Sequence, residues 1–173
     1  AYEIGSGLVG SEMCIRERRV AGGKIVAGME KELAFVRAKV GNLDAEDRIS
    51  VMALSYMGPF GAKGTTFDDI CSYANVRNLV GEYYLPVNAT FSQETLVRLD
   101  PELLLLPSWK YDNEQDPAKL RDEILQNPAY QSVDAIKNNR VVQLHDTYLY
   151  STTHYIVFAI RELAEAAYPD RFK

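Results

Sequence analysis

Asn88-Ala-Thr-Phe-Ser-Gln-Glu-Thr-Leu-Val-Arg-Leu-Asp-Pro-Glu-Leu-Leu-Leu-Leu-Pro-Ser-Trp109 reads as a helix that leads into a buried strand. Ser92 is placed to cap the free N–H groups of the first turn, and Glu94 sets negative charge at the positive end of the helix dipole. The second half is of a different kind. Leu103 to Leu106 is an apolar run too short for a helix, bracketed by Pro101 and Pro107. A helix passing through Asp100-Pro101 into a wholly apolar strand is one unit of a parallel α/β sheet, in which helices cover both faces. The expected fold is therefore α/β, a three-layer sandwich with a mainly parallel central sheet.

The rest of the chain continues the pattern. Upstream, Ser11 to Val40 favours one long helix: Ile15, Val26, Met29, Leu33, Val36 and Val40 supply apolar positions and Gly41-Asn42 ends it. Gly22-Gly23 interrupts it, and a kink or a close packing contact is expected there. At about 1.5 Å per residue this helix is longer than a compact domain needs, so residues 1–42 are expected to be a connecting spine and residues 43–173 the α/β domain. Ile49 to Ser55 reads as the first strand, with Val51 and Ala53 on one face and Met52 and Leu54 on the other. It runs into a Gly/Pro-rich loop, Tyr56 to Gly64, and then a helix capped by Thr66. Leu79 to Pro86 reads as a short strand or loop. Beyond Trp109 come an acidic loop, a helix at Ala118 to Leu125, a short helix at Val133 to Lys137, a strand at Arg140 to Leu144, a loop from His145 to Thr153, and a last helix from His154 to Ala167.

Composition excludes several classes. The 173 residues, 47% hydrophobic, suffice for one sizeable core. No apolar run approaches the length of a membrane span, and the first residues, Ala1-Tyr-Glu-Ile-Gly, carry no basic-then-apolar signal pattern. The missing initiator Met leads us to expect a mature form or an excised piece. A net charge of −5 argues against an electrostatic nucleic-acid binder. Cys14 and Cys71 stand far apart and are expected to be free, buried thiols, although sequence alone leaves a disulfide open. The loop glycines match neither GxGxxG nor GxxxxGK[ST], so no phosphate cradle is indicated.

The order of these elements, with Ser-x-Glu-x-Leu at Ser92, Leu-Asp-Pro-Glu at Leu99, Asn-Pro-Ala-Tyr at Asn127, Asp-Ala-Ile-Lys-Asn-Asn-Arg-Val at Asp134 and Leu-Ala-x-x-x-Tyr-Pro-x-x-Phe at Leu163, resembles the second lobe of the solute-binding proteins of ABC importers for iron-siderophores, haem and cobalamin. The resemblance implies a Rossmann-like lobe, preceded by the helix that joins two lobes, with a first lobe that this sequence does not include. It implies a non-enzymatic, extracytoplasmic protein, periplasmic or lipid-anchored, that needs no resident cofactor and captures a small-molecule metal chelate for the transmembrane subunits of an ABC permease. Where the family usually has glycine in two turns, this chain has Asn75 and Asn139, which tolerate the left-handed backbone. The competing reading is a stand-alone flavodoxin-like or regulatory α/β domain that binds a nucleotide or a protein. The long helix argues against it.

Site candidates follow from both sources. The resemblance gives Glu94 a role in docking on permease arginines, although an acidic residue in a first turn also stabilises a helix unaided. Ligand candidates are aromatic and polar residues in loops at the predicted strand ends: Tyr56, Phe60, Lys63, Tyr83, Tyr84, Trp109, Tyr111, Tyr148, Tyr150 and His154. Aromatic faces with a few polar groups suit large, rigid chelates. Trp109 stands out because it directly follows the central strand. His145 and His154 have no metal-ligand spacing, so no metal site is expected, while Tyr148 or Tyr150 as a haem-iron ligand stays open. Ser151, His154 and Asp146 share a loop, but without a nucleophile elbow they do not suggest catalysis.

Overall fold

The computed structural model describes residues 5–83, 93–110 and 115–173, with side chains from residue 18 onward and Gln93 excepted. The Ser92 cap, the candidates Tyr84 and Tyr111, and the Cys14 thiol lie outside the described residues. The chain begins with α1 (Gly5–Val40), followed by β1 (Ser50–Ser55), β2 (Gly58–Phe60), α2 (Thr66–Tyr73), β3 (Arg77–Asn78) and α3 (Leu79–Glu82). It continues through α4 (Gln93–Leu99), β4 (Leu103–Leu106), α5 (Pro117–Gln126), α6 (Asp134–Lys137), β5 (Val141–Gln143), α7 (Asp146–Leu149) and α8 (Ile156–Ala167).

The four leucines of β4 are all buried, as an apolar strand covered on both sides must be. β4 lies between β1 and β5 and is parallel to both, with Leu104 opposite Met52 and Leu105 opposite Val142. The far edge of β1 is shared by parallel β3 at its start and antiparallel β2 at its end. Alternation along the strands then builds two cores. Val51, Ala53, Leu103 and Leu105 pack against Val36 and Val40 of α1, Phe67 and Ile70 of α2 and Leu163 of α8. Met52, Leu54, Leu104 and Leu106 pack on the other face against Val80, Leu96, Ile124 and Ile136. Each fully buried leucine contributes about 1.5–3 kcal/mol through lost apolar exposure, so both faces of the sheet are held, the one against α1, α2 and α8 by the larger cluster. This is the expected three-layer α/β sandwich, with β2 the one antiparallel strand among the described residues.

Helix α1 begins at Gly5, ahead of the expected start at Ser11, and spans about 54 Å at 1.5 Å per residue. Only its last turns are seated on the domain: Val36 and Val40 are buried, Glu32 pairs with Arg161 of α8 at 3.3 Å, and that guanidinium lies 4.9 Å from the Phe35 ring. Further back Val20, Ile25 and Val26 are exposed. The helix runs through Gly22-Gly23, and a Cβ at either position would meet nothing within 4 Å, so the close contact expected there is not present.

Local differences from the sequence reading have physical causes. Thr65, not Thr66, caps α2, its hydroxyl accepting the Asp68 N–H at 3.4 Å. Tyr56 to Gly64 is not all loop, because Ser55 pairs with Gly58 across a two-residue turn to make β2, with Gly58 at φ 118°. Leu79 starts a helical turn rather than a strand, burying Leu79, Val80 and Gly81. The loop after β5 winds into α7, and the last helix begins at Ile156 rather than His154. Asn75 and Asn139 occupy the left-handed region at φ 56° and 53°, as expected of residues standing in for glycine. Cys71 is a buried free thiol whose pKa burial pushes up.

Candidate functional site

Parallel strands all end on one side, and the loops leaving them there share a crevice. In this molecule the exits of β1, β4 and β5 line a cleft of about 350 Å³ formed by Ser55, Tyr56, Pro107, Trp109, Gln115, Asp146, Thr147 and Tyr150. Three of the sequence candidates therefore meet: Tyr56 after β1, Trp109 after β4 and Tyr150 after α7. The Tyr56 hydroxyl donates to the Trp109 carbonyl at 3.2 Å, joining two of the loops. Trp109 is 61% exposed and Tyr150 54%, an unusual amount of aromatic surface left in a concave place.

The walls are fixed from behind. Gln143 of β5 donates through Nε2 to the Pro107 carbonyl at 2.8 Å, tying the two strand exits together. Asp146, 8% exposed, accepts the Ser108 N–H at 3.0 Å and the Trp109 N–H on the same oxygen, Oδ2, while its own N–H donates to Ser108 Oγ at 3.3 Å. The other carboxylate oxygen, Oδ1, is buried and has no hydrogen-bond partner among the described residues. The ring of Tyr150 rests on Phe60 of β2 with centroids 5.4 Å apart, and Phe60 rests on Phe67 of α2 at 5.0 Å. Burial, with the negative charge of Asp146 adding to it, pushes the Tyr150 phenol up to about 12. At neutral pH Tyr150 is therefore a neutral hydroxyl, able to donate or accept.

β2 and its exit loop need their own support. Gly61 has φ +91°, and a Cβ there would stand 2.2 Å from the Phe67 ring, so only glycine fits. Buried Asn78 donates through Nδ2 to the Gly61 carbonyl at 2.7 Å and to Asp68 Oδ1 at 2.8 Å, and Asp68 Oδ2 in turn accepts the Gly64 N–H at 2.9 Å.

The other candidates lie elsewhere. Phe60 backs the cleft without lining it. Lys63 is exposed on the loop between β2 and α2, and Tyr83 is exposed at the end of α3. Tyr148 belongs to an aromatic cluster with His145, Tyr155 and Phe158 and packs on the core around Leu149. His154 stacks on Tyr155, ring centroids 4.1 Å apart, and His145 pairs with Glu162 at 2.6 Å. Glu94 is exposed in the first turn of α4. Among the described residues no group of three or more His, Cys, Asp or Glu side chains is arranged to hold a metal ion. The sequence reading missed Ser55, Pro107, Gln115, Asp146 and Thr147. Pro107 and Thr147 flank nominated positions, whereas Asp146 was noticed only as a member of a catalytic trio that the fold does not assemble: its carboxylate is committed to the backbone of Ser108 and Trp109.

This architecture, an open parallel sheet with a ligand-sized crevice at the carboxyl ends of its strands and a long helix leaving one side, defines a solute-binding lobe in shape. The family profile described as "Periplasmic binding protein" matches residues 17–148, well over half of the chain, and the chain belongs to that family. No curated protein sequence matches it. Among solved structures it is similar to the molybdate-binding protein MolA of Haemophilus influenzae, with 17% identity and TM-score 0.72 over 90% of this chain and 46% of that one. The periplasmic heme-binding protein RhuT of Roseiflexus sp. RS-1 aligns at 20% identity and TM-score 0.68, covering 87% of this chain and 56% of its own. A protein of an Fe3+-hydroxamate transport system from Saccharomonospora viridis aligns at 16% identity and TM-score 0.62 over 87% of this chain and 50% of its own. At these identities the likeness concerns the fold. The chain spans about half the length of these structures. Proteins of that family bind solutes for transport and are not enzymes.

Proposed function

We propose that this chain is the second lobe, with its connecting helix, of a two-lobed extracytoplasmic solute-binding protein that delivers a metal chelate of the iron-siderophore, haem or cobalamin class to an ABC permease. The observation that carries this reading is the cleft: Tyr56, Trp109 and Tyr150 turn aromatic surface into one crevice at the strand exits, where a flat or bulky chelate can be held by stacking and a few polar contacts. Helix α1 supports the two-lobed arrangement, because its first half carries exposed Val20, Ile25 and Val26 away from the domain. Among the described residues no helix is long and apolar enough to cross a membrane, in keeping with a protein that meets its permease from outside. Glu94, exposed at the start of α4, is the proposed permease contact, and Lys63 and His154 stand on loops that the first lobe would approach. No resident cofactor is needed, since the cargo itself brings any metal.

The test is an equilibrium titration of the full-length gene product, followed by intrinsic fluorescence, with haem, cobalamin and ferric hydroxamate, catecholate and citrate complexes. Saturable quenching by one ligand class is expected, weakened at least tenfold in Trp109→Ala because a stacking face is lost, roughly 1.4 kcal/mol or more. Silence across the whole panel contradicts the reading.

A further inference from the structure

The cleft has a sign. Among its described lining residues Asp146 is the only carboxylate, and none is Lys, Arg or His. Lys110, next to Trp109 in sequence, pairs with Asp116 at 3.1 Å, and His145, next to Asp146, pairs with Glu162 at 2.6 Å. The segments 84–92 and 111–114 contain no Lys, Arg or His, and Asp112 and Glu114 in the second add negative charge close to Trp109 in sequence. Asp146 is more than nine-tenths buried, and while Oδ2 is taken by two backbone N–H groups, Oδ1 has no partner among the described residues. Oδ1 is itself sealed from the cleft, so Asp146 acts on an occupant through the charge of its carboxylate and not through a hydrogen bond. The aromatic faces of Tyr56, Trp109 and Tyr150 point to the same ligand, because ring faces attract cationic and N–H-bearing groups.

Resting on the solute-binding reading above, we propose that this lobe selects its cargo by charge: it takes neutral or cationic chelates, as ferric hydroxamates are, and disfavours polyanionic chelates such as ferric tris-catecholates. A polyanion in this cleft meets a buried carboxylate and no compensating cation, a repulsion that little solvent screens. A monocation gains the same interaction with the opposite sign.

Three ferric complexes of comparable size test this on the full-length gene product: that of desferrioxamine B, a monocation; ferrichrome, which is neutral; and a tris-catecholate, a trianion. Each is titrated into the wild type and into Asp146→Asn, whose amide oxygen still accepts the Ser108 and Trp109 N–H groups. The wild type is expected to bind the trianion at least tenfold more weakly than the other two. Asp146→Asn is expected to weaken the monocation about tenfold, leave the neutral complex within about threefold, and strengthen the trianion. Equal or tighter binding of the trianion by the wild type overturns the proposal, and so does a uniform loss of all three in the variant, which marks Asp146 as a purely structural residue. Should the variant fail to fold, the order of the three wild-type affinities decides: the trianion at least tenfold weaker than the other two supports the proposal, and any smaller or reversed difference overturns it. Absence of binding by all three complexes and by the wider panel overturns the solute-binding reading itself, and this inference with it.

Discussion

Asn75 and Asn139 have the same backbone conformation, but their side chains are used differently, and that makes them separable by mutation. Asn75 donates through Nδ2 to the Val40 carbonyl at 2.6 Å, closing the end of α1, while Asn139 is exposed and serves by its backbone alone. Asn139→Gly should leave stability within about 0.5 kcal/mol, whereas Asn75→Gly should cost about 1 kcal/mol for the lost hydrogen bond. Urea unfolding midpoints at constant m-value measure both, and equal losses would contradict the assignment. Tyr150 gives a residue-scale prediction of another kind. Its folded value, about 12, lies above the ordinary phenol value of 10.0, so the fold favours the neutral form. Its contribution to stability is therefore fully present below pH 10 and lost as pH rises toward about 12. In near-ultraviolet titration of the tyrosines, Tyr150→Phe should remove a transition at the alkaline end; losing one at the ordinary value instead would contradict the burial of the phenol and the influence of Asp146 on it.

The β1–β2 turn and its exit are the element on which the cleft's aromatic wall depends. Phe60 supports Tyr150, Phe67 supports Phe60, and Gly61 leaves just enough room for that stack. Gly61→Ala combines an unfavourable φ with a clash against Phe67 and should destabilise the domain by about 2 kcal/mol or more. It should also weaken ligand binding, and a variant with reduced stability but unchanged affinity would show that the β2 support is not transmitted to Tyr150. How much could be read beforehand differs from element to element. β4 was legible because four consecutive leucines between two prolines admit little else, and α8 because its apolar spacing is helical. β2 and α7 were not, since each is only three or four residues long and owes its form to partners distant in sequence: β2 to the edge of β1, α7 to the clasp between Asp146 and the backbone of Ser108 and Trp109. The cleft followed the same rule. Trp109, Tyr56 and Tyr150 could be nominated from their position after strands, but the weight of Asp146 rests on burial, which no local pattern announces. Tyr148, two residues from Tyr150, looked equivalent in sequence and turned inward.

At the scale of the whole molecule, a two-sided sheet fixes three strand exits against one another, and α1 is anchored to that body by its last turns. The seat of α1 is compact: Val36 and Val40 in the core, with Glu32 and Phe35 on Arg161. The central claim is that the crevice between the strand exits holds the solute. The most direct test is an iron anomalous difference map from crystals of the full-length gene product grown with the ferric chelate that binds best in solution. The account predicts one peak over the cleft, within reach of Tyr56, Trp109 and Tyr150; a peak at the opposite end of the sheet, around Glu102 and Ser50, or on an outer face of the domain would contradict it.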